Sequence, residues 1–443
     1  MRSNSCHWRL MMMNNDSILV NNTPSDWSVK KIKYVFDERK ESNDPVKTDV
    51  LVSLTHDRGV ILHSDKGDIG NKAKDDLTRY KLVYPGDIVV NSMNVIIGSS
   101  GLSNYYGLVS PVYYMLRTKD PSYDKKFFHY LFRSIVFQKS LIGVGNGILE
   151  HRMRIPMDKL GSQFIPLPPS TEQKLISQYL DKKIDQIDTL IEKTQKKIKL
   201  LKEQQTSLIN QYITKGLDQN VEMKNSGYDW IGEIPKHWQV IKINYIMEVK
   251  DGTHDTPDYL EKSIDTFPLV TSSNFVEGKI DFSNCKHISL EDYLKINKRS
   301  NIETNDIIMS MIGSNLGNTA IVGEDIKFSI KNVCLFKTSS CQKVSPSYLF
   351  FLIESNYLTC QIDVNQKGGG QPFLSLDNLR NLKFPIPPKD EQKDIISKLS
   401  KQKEPILKLL KSETKKIDLL KEYRQSITSS VVTGKVRVSD DII

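Results

Sequence analysis

The sequence predicts an α+β fold: two mixed α/β globular segments separated by two long helices that pair as an antiparallel coiled coil with pseudo-two-fold symmetry. Three observations lead there. Residues 166–214 align with 385–433 without a gap, and 20 of those 49 positions are identical. Both aligned stretches repeat apolar residues at alternating steps of three and four, the heptad signature of packed helices. Each is preceded by short β-rich runs, Gly/Asn/Asp turns and one amphipathic helix. The unit is a globule followed by a helix, used twice.

In chain order, residues 1–23 form a leader expected to be poorly ordered. Its apolar stretch is too broken for a signal peptide, and Met11, Met12 and Met13 point to an unstructured start. The first globule spans 24–165, with the runs "DIVVNSM" and "VYYMLR" and a helix over 125–141. The first helical segment spans 166–222, the second globule 223–384, and the second helix with its tail 385–443. In the second globule "TFPLVTSS", "DIIMSMI" and "VCLFKT" read as strands and 346–362 as a helix. A glycine-rich loop follows each globule's helix, "GVGNGILEHRMR" (143–154) and "NQKGGGQPFLS" (365–375). Glycine admits a phosphate or base close to the backbone. Asn146, His151, Arg152 and Arg154 supply donors in the first loop, and Gln366, Lys367 and Gln371 in the second.

The seam of the first helix is Ile184, Ile187, Ile191, Ile198, Leu201 and Leu208; that of the second is Ile406, Leu410, Ile417, Leu420 and Ile427. A helix from Thr171 to Ile213 would be about 65 Å long. Its apolar stripe needs a partner, and the other copy is the obvious one. The first helix leads from globule one to globule two and the second begins at globule two, so a pair must be antiparallel. Thr194 and Glu413 fall near the midpoints and are expected to face each other. Pro405 removes a donor inside the second helix and predicts a kink or restart. Before each helix stands "PPSTEQK" (168–174) or "PPKDEQK" (387–393). The prolines predict an extended exit strand. Thr171 and Asp390 are candidate caps, with Ser170 and Gln173 as a capping box. Glu172 and Glu391 suit the positive end of the helix dipole.

Charge is unevenly spread within the net +9: residues 1–169 carry 23 basic and 17 acidic side chains, 389–437 carry 13 and 7, and 218–388 carry 17 and 21. A basic total fits a polyanionic partner. The acidic second globule would bind one only through a local patch. Five cysteines, none in a CxxC pair, argue against a disulfide framework or zinc knuckle and for a reducing, cytoplasmic setting. No apolar run approaches the roughly 18 residues of a membrane span. No P-loop, HExxH or GxSxG occurs. Asp258, Glu277 and Lys279 imitate the spacing of a metal-dependent nuclease, in which paired carboxylates hold a divalent ion. A self-contained Mg-dependent nuclease is therefore one alternative, and a coiled-coil scaffold without a DNA role is another.

The two "PPxxEQ" helix starts, the "KKIxLLKE" within each helix, "SGYDWIGEIPKHW" (226–238), "DGTHDTP" (251–257), "GSNLGNTAIV" (313–322) and "GGGQPFLS" (368–375) together resemble the specificity subunits of type I restriction–modification systems. The resemblance runs from about Pro24 nearly to the end of the chain; the first globule lacks a "DGTH" counterpart. It implies that the globules are target recognition domains, each reading half of a bipartite asymmetric site in double-stranded DNA. It also implies that the helices set the spacing and dock two modification (methyltransferase) subunits, with restriction (translocase/endonuclease) subunits beyond. No catalysis, metal or cofactor is implied for this chain; S-adenosylmethionine, ATP and Mg belong to the partners. Lys, Arg and backbone donors would hold phosphates, while Asn, Gln, His, Arg and Thr on loops would read base edges. The candidates for DNA contact are Asn94, Asn146, Arg152 and Arg154 in the first globule, and Thr253, His254, Asn315, Asn318, Lys367 and Gln371 in the second.

Overall fold

A computed structural model describes residues 19–21, 23–55, 58–66, 76–145, 154–218, 220–323, 326–341, 343–365 and 373–439. Four candidate contact residues, Asn146, Arg152, Lys367 and Gln371, lie outside the described residues. Contacts divide the chain into two units, one of residues 1–195 with 415–443 and the other of residues 196–414. Each unit holds one globule and one half of each long helix.

In the first unit, the strand β1 (Ser28–Lys31) is followed by β2 (Phe36–Arg39), β3 (Ile88–Asn91), β4 (Ser100–Leu102), β5 (Tyr113–Thr118) and β6 (Phe164–Leu167). The strands β2-β5-β3-β4 form an antiparallel sheet in that order. All four residues of β3 are buried, as the run Ile-Val-Val predicts for a central strand. Helix α1 (Lys125–Arg133) packs Phe127, Phe128, Leu131 and Phe132 into the core. Phe36 meets Phe128 edge-on at 4.9 Å. Each fully buried Phe of this kind stabilises the unit by about 1.5–3 kcal/mol. β1 pairs antiparallel with β6, Ser28 opposite Leu167 and Lys31 opposite Phe164. Pro168 and Pro169 then lead into helix α2 (Ser170–Lys215). The core reaches back to Leu19, which is buried.

The second unit repeats this plan with β7 (Gln239–Lys242), β8 (Glu248–Asp251), β9 (Ile307–Ser310), β10 (Thr319–Ile321), β11 (Val333–Lys337) and β12 (Lys383–Ile386). The sheet order is β8-β11-β9-β10, again antiparallel, and β7 pairs with β12. Helix α3 (Leu290–Ser300) is inserted between β8 and β9. Helix α4 (Pro346–Glu354) takes the place of α1, with Ser345 as its N-cap and Pro346 at its first position. β12 leads through Pro387 and Pro388 into helix α5 (Lys389–Val432).

The helices behave as the seam predicts. In the first unit Ile176, Tyr179 and Leu180 share a core with Val431 and Val432, and Arg424 reaches Asp188 at 3.3 Å. In the second unit Ile209 and Ile213 share a core with Ile395 and Leu399, and Lys197 meets Glu413 at 2.5 Å. Early residues of one helix meet late residues of the other, so the pairing is antiparallel within each unit. Ile187, Leu201, Ile406 and Ile417 are buried; Ile184, Ile191, Ile198, Leu208, Leu410, Leu420 and Ile427 are half-buried. Helix α5 runs unbroken through Pro405, contrary to the expected restart. Pro405 is exposed, so its ring and the carbonyl it leaves unpaired face water.

The repeated Glu and Gln do more than cap. Helix α2 begins at Ser170 and α5 at Lys389, so Thr171 and Asp390 lie within the first turns and do not cap them, and the backbone N–H of Gln173 donates to the carbonyl of Pro169 at 2.9 Å. The Gln173 side chain does not close a capping box. Its Nε2 donates to Pro168 O at 2.8 Å, and its Oε1 accepts from the N–H of Asp124, the N-cap of α1, at 2.9 Å. Gln392 does the same in the second unit, toward Pro387 O at 3.0 Å and the N–H of Ser345, the N-cap of α4, at 3.0 Å. Glu172 accepts from the indole of Trp27 at 2.8 Å, and Glu391 from that of Trp238 at 3.0 Å. Each helix start is thus tied both to the tryptophan just ahead of the strand that pairs with its exit strand and to the cap of its globule's helix. Gly216 (φ 72°) closes α2 where a Cβ would come within 2.8 Å of Glu391 Oε1, so only glycine fits without displacement.

Candidate nucleic-acid interface

The antiparallel order fixes which loops meet. In the second unit β8 and β9 end, and β11 and β10 begin, at the same end of the sheet. Asp251 is opposite Cys334, Ser310 opposite Val333, and Met309 opposite Thr319. The loop after β8 carries Thr253 and His254; the β9–β10 loop carries Asn315 and Asn318. The chain returning from the glycine-rich loop pairs here too, since Leu374 N–H donates to Met311 O at 3.0 Å. The first unit repeats the arrangement. The β3–β4 loop carries Asn94, and Ile155 N–H donates to Ser92 O at 2.9 Å, which brings the exposed Arg154 to the same sheet end. All six candidates that fall within the described residues therefore converge on one equivalent edge per unit.

The loops are held by backbone bonds, and this leaves several side chains outward. Asn94 turns the chain with its carbonyl, which accepts from Ile97 and Ser99, and its half-buried side chain makes no capping bond. Asn318 is exposed, and its carbonyl accepts from Ser310 N at 2.8 Å. Thr253 Oγ1 accepts from Asp255 N at 3.1 Å, a local turn that orients the loop. His254 is less free. Its Nε2 lies 3.2 Å from Asp251 Oδ2 and its Nδ1 3.1 Å from Asn332 Oδ1, so both ring nitrogens are engaged. Lys81 is a first-unit cation that sequence reasoning missed. It donates to Tyr113 O at 2.9 Å, at the start of β5. Burial holds its ammonium below the usual range, opposed by Glu38 and aided by Lys40 and Arg154.

Beside the second sheet end lies a cleft of about 650 Å³, lined by Asn318 and Gly317, by the Glu277–Gly278 turn, and by Gln205 and Thr206 of α2. Glu277 (φ 50°) is the first residue of that two-residue hairpin turn, whereas Asp258 lies in the β8 loop outside any strand. Such placements serve a turn and a surface loop. Among the described residues no group of three or more His, Cys, Asp or Glu is placed to hold a metal ion.

Residues 24–200 and 235–419 both match the model of the type I restriction modification DNA specificity domain. The chain belongs to this family. Its two specificity domains coincide with the two globules and the first part of each helix. The chain is 26% identical over 377 residues to the type I restriction enzyme MjaVIII specificity subunit of Methanocaldococcus jannaschii, covering 80% of this chain and 81% of that one. It is 23% identical over 334 residues to the EcoBI specificity subunit of Escherichia coli, covering 72% and 66%. A solved chain from a study of complex assembly and conformational transition of the type I R-M system shares the fold, with a TM-score of 0.66 at 12% identity over 94% of this chain and 99% of that one. Among the described residues no helix is long and apolar enough to cross a membrane.

Sequence reasoning also missed Asp251 and Asn332, which flank His254, and Arg299, which pairs with Asp251. "DGTH" flagged the neighbourhood, but Arg299 lies far along the chain in α3. The Trp–Glu ties did leave a signal: tryptophan recurs just ahead of β1 and β7, and glutamate after both proline pairs.

Proposed function

We propose that this chain is the DNA-recognition subunit of a type I restriction–modification complex, each unit reading one half of a bipartite, asymmetric duplex target. The observation that carries the reading is the duplicated sheet end, built on the same strands in both units but furnished with different loops. Strands fix the loop ends, and Asn, Thr and Arg side chains offer donors and acceptors suited to base edges in the major groove. Phosphate contacts by Lys and Arg would set register without carrying sequence information. Different loops imply different half-sites, hence an asymmetric target.

The helices serve as spacer and dock. Leu200 on α2 and Leu409, Leu419 and Tyr423 on α5 are exposed on outward faces, apolar surface of the kind that protein partners cover. Two modification subunits would seat there, with restriction subunits joining the assembly. In this reading the chain performs no chemistry. S-adenosylmethionine, ATP and Mg act in the partner subunits, and the complex works in the cytoplasm.

Methylome sequencing of a host carrying the complex, with and without this gene, tests the proposal. The expected result is one methylated motif of two short unlike stretches separated by a fixed unread gap. A contiguous motif, or none, would overturn it.

A further inference from the structure

Asp251 ends β8 and is 4% exposed, yet its carboxylate serves two cations or donors at once. One oxygen is ion-paired with the guanidinium of Arg299, in the last turn of α3, and the other faces His254 Nε2 at 3.2 Å. His254 is braced from its far side by Asn332. That residue adopts a left-handed conformation (φ 56°) and donates its backbone N–H to Thr253 O at 3.1 Å. The Arg299 side chain is nonetheless 60% exposed. A surface arginine is thus paired with a buried carboxylate at the sheet end where the candidate loops meet.

We infer that Arg299 is a base-reading residue of the second unit, presenting its guanidinium to a guanine of the half-site which that unit reads, with Asp251 as its positioning residue. The inference rests on the recognition reading above. The chemistry favours a base over a phosphate. A phosphate contact needs charge, which Asp251 largely offsets, and tolerates a mobile side chain. Guanine O6 and N7 need two N–H groups held in one plane, which is what a buttressed guanidinium supplies and an ammonium cannot. Burying a carboxylate is costly unless it is paired, so a pairing that leaves the arginine outward points to its orientation as the gain. Among the described residues the first unit shows no counterpart: β2 ends in Arg39, which turns inward to the buried Asp87 at 2.9 Å. The device therefore distinguishes one half-site from the other.

Arg299→Ala and Arg299→Lys, each in the full chain assembled with its modification subunits, test this by methylome sequencing and by binding to duplexes varied at each target position. Both variants are expected to lose discrimination about 5- to 150-fold at one guanine of the second half-site, with the first half-site unchanged. An unchanged motif overturns the inference. So does a uniform loss across sequences with a shallower salt dependence that lysine restores, which would mark a phosphate contact. Failure of both variants to assemble would make Arg299 a structural residue and equally overturn it. If the unaltered complex methylates no bipartite motif, the recognition reading falls and this inference with it; if it does and only the variants show no change, the inference alone falls.

Discussion

Glu391→Ala tests whether the helix start is a fixed joint. Trp238 is fully buried, and its indole N–H has Glu391 as its partner at 3.0 Å. Removing the carboxylate leaves a buried donor unsatisfied, at a cost of about 1–3 kcal/mol. It also removes an acid from the first turn of a 44-residue helix, a further loss of about 0.3–1 kcal/mol. The His237 contact at 2.7 Å is half exposed and adds little. The expected loss is about 1.3–4 kcal/mol. Glu391→Gln keeps an acceptor for the indole and should lose only about 0.3–1 kcal/mol, the charge alone. Urea unfolding followed by fluorescence gives the totals. Hydrogen exchange of the segment 230–241 against 26–32 localises the change to the second unit. Equal losses for alanine and glutamine, or a loss under about 0.5 kcal/mol for alanine, would refute the indole tie as the main contribution.

Deleting one heptad from each long helix removes about 10.5 Å of rise. That corresponds to about three base pairs, so the methylated motif should lose that much unread gap or vanish; an unchanged gap refutes the ruler. Exchanging residues 24–165 for another recognition domain should rewrite one half of the motif only, and a change in both halves contradicts independent reading. Burial and the neighbouring Arg133 lower the His129 imidazole to about 3. The unfolded chain then binds a proton that the folded unit refuses. Stability should be full above about pH 6.5 and fall toward pH 3, by at most about 1.4 kcal/mol per pH unit and less where solvent screens the ring. His129→Asn should flatten that slope in pH-dependent unfolding.

The helices were legible because their signal is local: a period of 3.5 residues declares a seam wherever it lies, and Ile187, Leu201, Ile406 and Ile417 are buried as the period requires. The proposed recognition surface is legible in the sequence only in outline. Asn94, Arg154, Thr253, His254, Asn315 and Asn318 are readable from sequence only as separate loop residues, and strand order alone shows that they share two equivalent edges. His254 reads from sequence as a loop residue for base edges, but the fold engages both of its ring nitrogens. Arg299 carried no motif, because its meaning depends on a carboxylate 48 positions earlier in the chain. Pro405 misled because propensity ignores which way a residue faces.

The twin Trp–Glu ties also bear on how such chains change over time. Both helix starts offer the same seat: two prolines, a glutamate for an incoming indole, and a glutamine for the cap of the globule's helix. Nothing in that seat depends on the loops at the reading edge. A genetic crossover within the proline codons, with its counterpart ahead of the tryptophan, would deliver a foreign globule already fitted to its mount. New DNA specificities can then arise by exchange of whole segments, without passing through intermediates whose joint is broken.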